Sequence, residues 1–125
     1  MDVILFGEPN EMSGTENLLR SIQPVKNVSA FEQFLPAREY LEQHDADMII
    51  LDADNDKANW QYTAEKFRKI NKQVKIVLIS GNTDDAVKAY EYGVFDYLLK
   101  PVKKKQLERI LAKSVIHMKN TEHSR

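Results

Sequence analysis

Four short, nearly unbroken apolar runs punctuate the chain, at residues 3–6, 48–51, 74–79 and 94–99. Each is rich in Val, Ile, Leu or Phe and shows little polar alternation, the pattern of strands covered on both faces of a parallel sheet. A weaker run at 25–31 follows Pro24 and is broken by polar residues, as expected of an edge strand. Between the runs the apolar spacing becomes helical. Leu18, Leu19 and Ile22 predict a helix over 12–22. Pro36 suits a first helical turn, and residues 37–44 follow with Tyr40 and Leu41 facing inward. Residues 58–70 place Trp60, Ala64, Phe67 and Ile70 at helical spacing. Thr83 is the expected N-cap of the next helix, with Asp84 and Asp85 in its first turn and Gly93 just past its end. After Pro101, Leu107, Ile110, Leu111, Val115 and Met118 form the stripe of a last helix reaching about residue 120.

Strand and helix therefore alternate five times. Short connections between them require parallel strands joined by right-handed crossovers, with helices on both faces. The expected fold class is α/β, a single (βα)₅ domain around a doubly wound, five-stranded parallel sheet. Its expected extent is residues 1–119, with 120–125 a fraying tail or the start of a linker.

Composition narrows the possible functions. A chain of 125 residues, 42% hydrophobic and 30% charged, matches one globular domain rather than a disordered or membrane protein. Lys and Arg total 18 against 19 Asp and Glu, a balance that argues against direct nucleic-acid binding by this domain. There is no Cys, which removes disulfides, thiolate metal sites and Cys nucleophiles. No apolar run approaches the ~20 residues that span a bilayer, and Met1-Asp2 lacks the basic start of a secretory signal. No membrane role is expected, and a reducing cytoplasm is the simplest compartment.

In an open parallel sheet, ligands bind beyond the carboxyl ends of the strands. Those ends carry Gly7, Glu8, Pro9 and Asn10; then Asp52, Asp54 and Asp56; then Ser80, Gly81 and Asn82; and finally Lys100 and Pro101. A carboxylate that ends an apolar strand, as Asp52 does, needs a compensating cation. A strand-terminal Asp is usually a cap and a Ser there usually a turn former, but carboxylate, hydroxyl and ammonium at successive strand ends suit phosphoryl transfer. Asp52 would be the nucleophile, Mg²⁺ would neutralise the incoming group, and Ser80 and Lys100 would bind its oxygens.

The stretch Lys75-Ile-Val-Leu-Ile-Ser80-Gly81, followed by Ala86-Val-Lys-Ala-Tyr-Glu-Tyr-Gly93-Val-Phe-Asp-Tyr97-Leu-Leu-Lys100-Pro101, resembles the second half of a response-regulator receiver domain. The likeness is greatest to receivers that precede LytTR-type DNA-binding domains. It covers the whole chain in element order and is strongest over 75–111. It implies a flavodoxin-like receiver fold in which Asp52 accepts a phosphoryl group from a sensor histidine kinase. Ser80 would be the switch hydroxyl, Lys100 the phosphoryl partner before a cis Pro101, and Tyr97 the aromatic that reports to the surface of the fourth helix, fifth strand and fifth helix. Mg²⁺ would be held by Asp52, the backbone carbonyl of Asp54 and an acid after the first strand. That surface would face an output domain or partner, or a second copy in a homodimer, controlling transcription. Catalysis would extend at most to slow loss of the aspartyl phosphate.

Two departures from the family pattern stand out. The usual pair of acids after the first strand is thinned to Glu8. Counting from Met1 puts Gly7 and Glu8 at the pair, whereas matching Glu8-Pro9 to the Glu-Pro that often follows it puts Phe6 and Gly7 there. The Met-Pro and Gly usual after the acceptor are replaced by Ala53-Asp54-Asn55-Asp56-Lys57. One alternative is thus a degenerate receiver that binds partners without phosphorylation. Another is a small phosphatase resembling the haloacid dehalogenases, with Asp54 as general acid, Ser80 and Lys100 as counterparts and Asp84-Asp85 as the acidic motif. Its motif order is wrong, and the chain has no room for a cap domain. A flavodoxin-like cofactor binder would need a phosphate-cradling loop that residues 7–11 lack.

The remaining candidates read more simply. His44, His117 and His123 suit exposed helix ends, and Lys103, Lys104 and Lys105 a solvated run able to dock an acidic partner. Trp60 reads as a packing anchor, while Tyr90 and Tyr92 divide between core and surface.

Overall fold

The computed structural model describes residues 1–55 and 60–123, with side chains through Met118. Among the described residues, β1 (Asp2–Phe6), α1 (Pro9–Arg20), β2 (Asn27–Phe31), α2 (Phe34–Gln43) and β3 (Met48–Asp52) are followed by α3 (Trp60–Ile70), β4 (Lys75–Ser80), α4 (Asp84–Glu91), β5 (Asp96–Leu99) and α5 (Lys104–His123). The strands form one sheet in the order β2-β1-β3-β4-β5, every pair parallel. The (βα)₅ doubly wound sheet predicted from the alternation is the observed fold, and the weak run forms its edge at β2.

Both sheet faces are covered because successive strand residues point to opposite sides. Val3 and Leu5 of β1 join Met48, Ile50, Val77 and Ile79 under α1 and α5, where Met12, Leu19, Leu107, Ile110 and Leu111 pack. Ile4 and Phe6 join Ile49, Leu51, Ile76 and Leu78 under α2, α3 and α4, where Leu41, Trp60, Phe67 and Ala89 pack. Trp60 is 1% exposed, the anchor that its spacing predicts.

Several boundaries differ from those expected. Helix α1 begins at Pro9 rather than residue 12, with Glu8 as its N-cap and Pro9 in its first turn. Helix α2 starts at Phe34, so Pro36 lies inside its first turn, and His44 is the C-cap. Residues 58 and 59 of the expected third helix lie outside the described residues. Thr83 flanks α4 but makes no side-chain capping bond; the Oδ1 of Asn82 accepts from the Asp84 N–H at 2.9 Å instead. Gly93 takes φ +72°, the left-handed conformation that ends α4 without Cβ strain. In α5, Ser114 takes the inward position that Val115 was expected to hold, and its buried hydroxyl has no hydrogen-bond partner. Helix α5 continues to His123, beyond residue 120.

Candidate functional site

The strand order reverses between β1 and β3, so their carboxyl ends open the crevice where ligands bind in this architecture. A cleft of about 570 Å³ lies there, lined by Glu8, Glu11, Asp52, Asp54, Asn55, Gly81, Asn82 and Lys100. Asp52, Asp54 and Lys100 thus converge, as their positions at strand ends predict. Asp52 ends β3 with its side chain 1% exposed and meets the Lys100 ammonium at 3.0 Å. The same ammonium lies 3.1 Å from Asp54 Oδ2 and 3.7 Å from Glu11 Oε2. The remaining Asp52 oxygen accepts the Asp54 backbone N–H at 2.9 Å. Burial pulls the Lys100 pKa down, but hydrogen bonds and charge from Asp52 and Asp54 outweigh it and hold the group above the ordinary lysine value. Lys100 is therefore an ammonium at any physiological pH. The Lys100–Pro101 peptide that carries it is cis.

The geometry of the first strand end distinguishes the two readings of its sequence. Phe6 is buried against Phe67, ring centroids 5.4 Å apart. Gly7 lies so close to β3 that a Cβ added there would sit 2.9 Å from Asp52 Cβ. Glu8 turns its carboxylate onto its own helix, accepting from the Asn10 and Glu11 N–H groups at 3.3 and 3.1 Å. This geometry favours the alignment that leaves no acid at the pair. The signal for it was in the sequence, since Pro9 at a first helical position marks Glu8 as the cap.

Mg²⁺ prefers near-octahedral oxygen ligands, usually one or two carboxylates with waters and phosphate oxygens. Asp52 has one oxygen on Lys100 and the other on a backbone N–H, Asp54 Oδ2 is on Lys100 and the Gly81 N–H, and Glu8 caps α1. Among the described residues no three His, Cys, Asp or Glu side chains are grouped to hold a metal ion. The donor set as arranged does not fit Mg²⁺.

From this cluster a chain of polar contacts runs to β5. Asp54 Oδ2 accepts the Gly81 N–H at 2.8 Å. The next carbonyl, of Asn82, accepts from the Tyr97 hydroxyl at 2.7 Å and lies 2.9 Å from Ser80 Oγ. Ser80 is fully buried at the end of β4, and its hydroxyl also reaches Asp85 Oδ2 in the first turn of α4 at 2.7 Å. A hydroxyl has one proton to donate, and the carboxylate is the stronger acceptor. Ser80 is thus turned toward α4, while the half-buried Tyr97 has its hydroxyl on the β4–α4 loop. Glu11 carries no site signal in the sequence, and the contacts of Asn82 with Tyr97 and of Asp85 with Ser80 come only from the folded geometry.

The other face of β5 holds a second junction. Asp96 accepts from the Tyr90 hydroxyl at 3.1 Å and pairs with Lys113 at 3.4 Å, tying α4 and α5 to the strand. Burial, aided by the Asp96 hydrogen bond and charge, raises the Tyr90 pKa against an opposing effect of Arg109. Val87, Tyr90 and Leu99 remain exposed on these elements. Tyr92 packs its ring on Trp60. His44 and His117 are exposed, as are Lys103, Lys104 and Lys105, and the His123 side chain lies outside the described residues.

A parallel sheet in the order 2-1-3-4-5, with an acid and an amine paired at its switch point, defines a flavodoxin-like α/β domain. The sequence profile of the response regulator receiver domain matches residues 7–112, and the chain belongs to that family. It is 28% identical over 114 residues to the sensory transduction protein LytR of Staphylococcus epidermidis, covering 89% of this chain and 44% of that protein. It is 26% identical over 96 residues to the transcriptional regulatory protein YpdB of Escherichia coli, covering 77% and 39%. The chain thus spans less than half the length of these relatives. Its fold matches the response regulatory domain of MrkE from Klebsiella pneumoniae with a TM-score of 0.80, at 24% identity and with 96% and 99% of the two chains covered. A receiver domain from Clostridium thermocellum gives the same TM-score at 20% identity, covering 96% and 98%.

Proposed function

We propose that this receiver accepts a phosphoryl group on Asp52 from a sensor histidine kinase and passes the change to its α4–β5–α5 face. The observation that carries this reading is the unbroken set of contacts from Asp52 through Lys100, Asp54 and Gly81 to Asn82, Ser80 and Tyr97. An Asp52 oxygen would form a bond to phosphorus as the bond from phosphorus to the donor's imidazole nitrogen breaks, its electron pair leaving with that nitrogen. Lys100 would follow the new negative charge, loosening its hold on Asp54 and so on the Gly81 N–H. Ser80 would exchange Asp85 for a phosphoryl oxygen, and Tyr97 would respond through Asn82. Exposed Val87, Tyr90 and Leu99 give the face its contact surface for an output domain, a partner or a second copy. The name of one relative, a transcriptional regulatory protein, favours transcription as the output, with DNA contacted by another segment or protein in a cytoplasmic setting. The domain acts as a switch rather than a turnover enzyme.

A second reading, a phosphorylation-independent interaction module, is favoured by Phe6 and Gly7 at the family's acidic pair and by the 1% exposure of Asp52 beneath Lys100. Incubation with a small acyl phosphate donor, followed by intact mass, separates the two. The phosphoryl-acceptor reading expects one phosphoryl adduct on the wild type and none on Asp52→Asn. No adduct, or one that survives the substitution, favours the interaction module.

A further inference from the structure

We infer that Lys100 is the resident cation of this site, holding by ion pairing the place that a divalent metal takes between strand-end carboxylates. The inference rests on the receiver reading and applies whichever input sets the switch.

Three observations carry it. The Lys100 ammonium lies within 3.0 and 3.1 Å of Asp52 and Asp54, with Glu11 at 3.7 Å, so one cation bridges carboxylates from β3, the loop after it and α1. A divalent ion binding the same oxygens would have to displace that ammonium or crowd a second positive centre between the same acids. Second, position 7 has no volume for another ligand, because even a Cβ there would approach Asp52 Cβ to 2.9 Å and Met12 Cγ to 3.1 Å. Third, Glu8, the other acid lining the cleft among the described residues, is committed to the N-terminus of α1, where it accepts from two N–H groups. Releasing it to a metal would uncap the helix. Ammonium and metal differ in consequence: a tethered charge is always present, so the cluster is assembled at any Mg²⁺ concentration.

The test is a urea unfolding series read by Trp60 fluorescence in EDTA and in increasing Mg²⁺. A ligand that binds only the native state raises the midpoint in a saturable way. The wild type and Lys100→Arg are expected to show no saturable shift. Lys100→Met is expected to gain one, because Asp52 and Asp54 lose the Lys100 charge that bridges them. A saturable rise in the wild type that disappears in Asp52→Asn overturns the inference, as does a folded Lys100→Met that stays indifferent to Mg²⁺. If Lys100→Met does not fold, amide NMR shifts of Asp54 and Gly81 in the wild type decide: unmoved by Mg²⁺ they support the inference, and moved saturably they overturn it. These outcomes are independent of phosphorylation. A wild type that binds Mg²⁺ and forms the Asp52 adduct sinks only this inference, whereas one that ignores Mg²⁺ and forms no adduct sinks only the phosphoryl-acceptor reading.

Discussion

Gly7 shapes the site by what it lacks. Its backbone N–H is bonded to the Phe31 carbonyl at 2.9 Å, which holds the end of β1 against its neighbours. A methyl group added there meets Asp52 Cβ at 2.9 Å and the Met12 side chain at 3.1 and 3.3 Å. Met12 can move, but Asp52 Cβ is fixed by its strand. Gly7→Ala should therefore lower stability in urea by ~1–3 kcal/mol, the usual range for overpacking. It should also disturb the Asp52–Lys100 pair, seen as a change in the Lys100 side-chain NMR signal. An unchanged midpoint would show that the crevice has more room than the geometry allows. The sequence displays the missing acid at this position, but not the reason that no acid fits, because that depends on how closely β1 approaches β3.

Between elements, the Ser80–Asp85 contact is the direct link from the end of β4 to the first turn of α4. The sequence marks Asp85 as a carboxylate at a helix start, or part of the acidic motif of the phosphatase alternative, and Ser80 as a strand-end hydroxyl for phosphoryl oxygens. Their meeting depends on the turn made by Gly81, Asn82 and Thr83, where the Asn82 N–H also donates to Ser80 Oγ at 2.8 Å. Ser80→Ala and Asp85→Asn should each destabilise by ~1 kcal/mol, as expected for one hydrogen bond. The double variant should fall short of their sum by ~0.5 kcal/mol or more if the two residues act as a pair. Strict additivity in urea unfolding would mean that the contact has no energetic weight. Strands and helices themselves were legible, because doubly buried runs and 3.6-residue stripes leave strong patterns. Helix starts were less so: α1 and α2 begin before their apolar stripes, at Pro9 and Phe34, where only the cap and the proline mark the boundary.

At the scale of the molecule, the near-even charge count conceals a strong local separation. Four carboxylates line the crevice around the Lys100 ammonium, while Lys103, Lys104 and Lys105 open toward solvent at the start of α5. That Asp52, Ser80 and Lys100 share one edge was legible in the sequence because a parallel sheet delivers the carboxyl ends of β3, β4 and β5 to it. The roles of Glu11 and the Asp54 carboxylate were not legible there, since each depends on where a side chain turns after its strand has ended. The whole domain is then tied through β5: Tyr97 holds the loop before α4, and Asp96 holds Tyr90 of α4 and Lys113 of α5. A change at Asp52 thus has a physical route to β5, where Tyr97 meets Asn82 across 15 residues of sequence.

Amide hydrogen exchange of the wild type against Lys100→Met reads whether the Lys100 cluster controls the β4–α4 loop and helix α4. Exchange should quicken at Gly81 and through the first turn of α4, with the core amides of β1 and β3 unchanged. Faster exchange spread evenly over the domain, or none beyond the neighbours of residue 100, would show that the cluster exerts no such control.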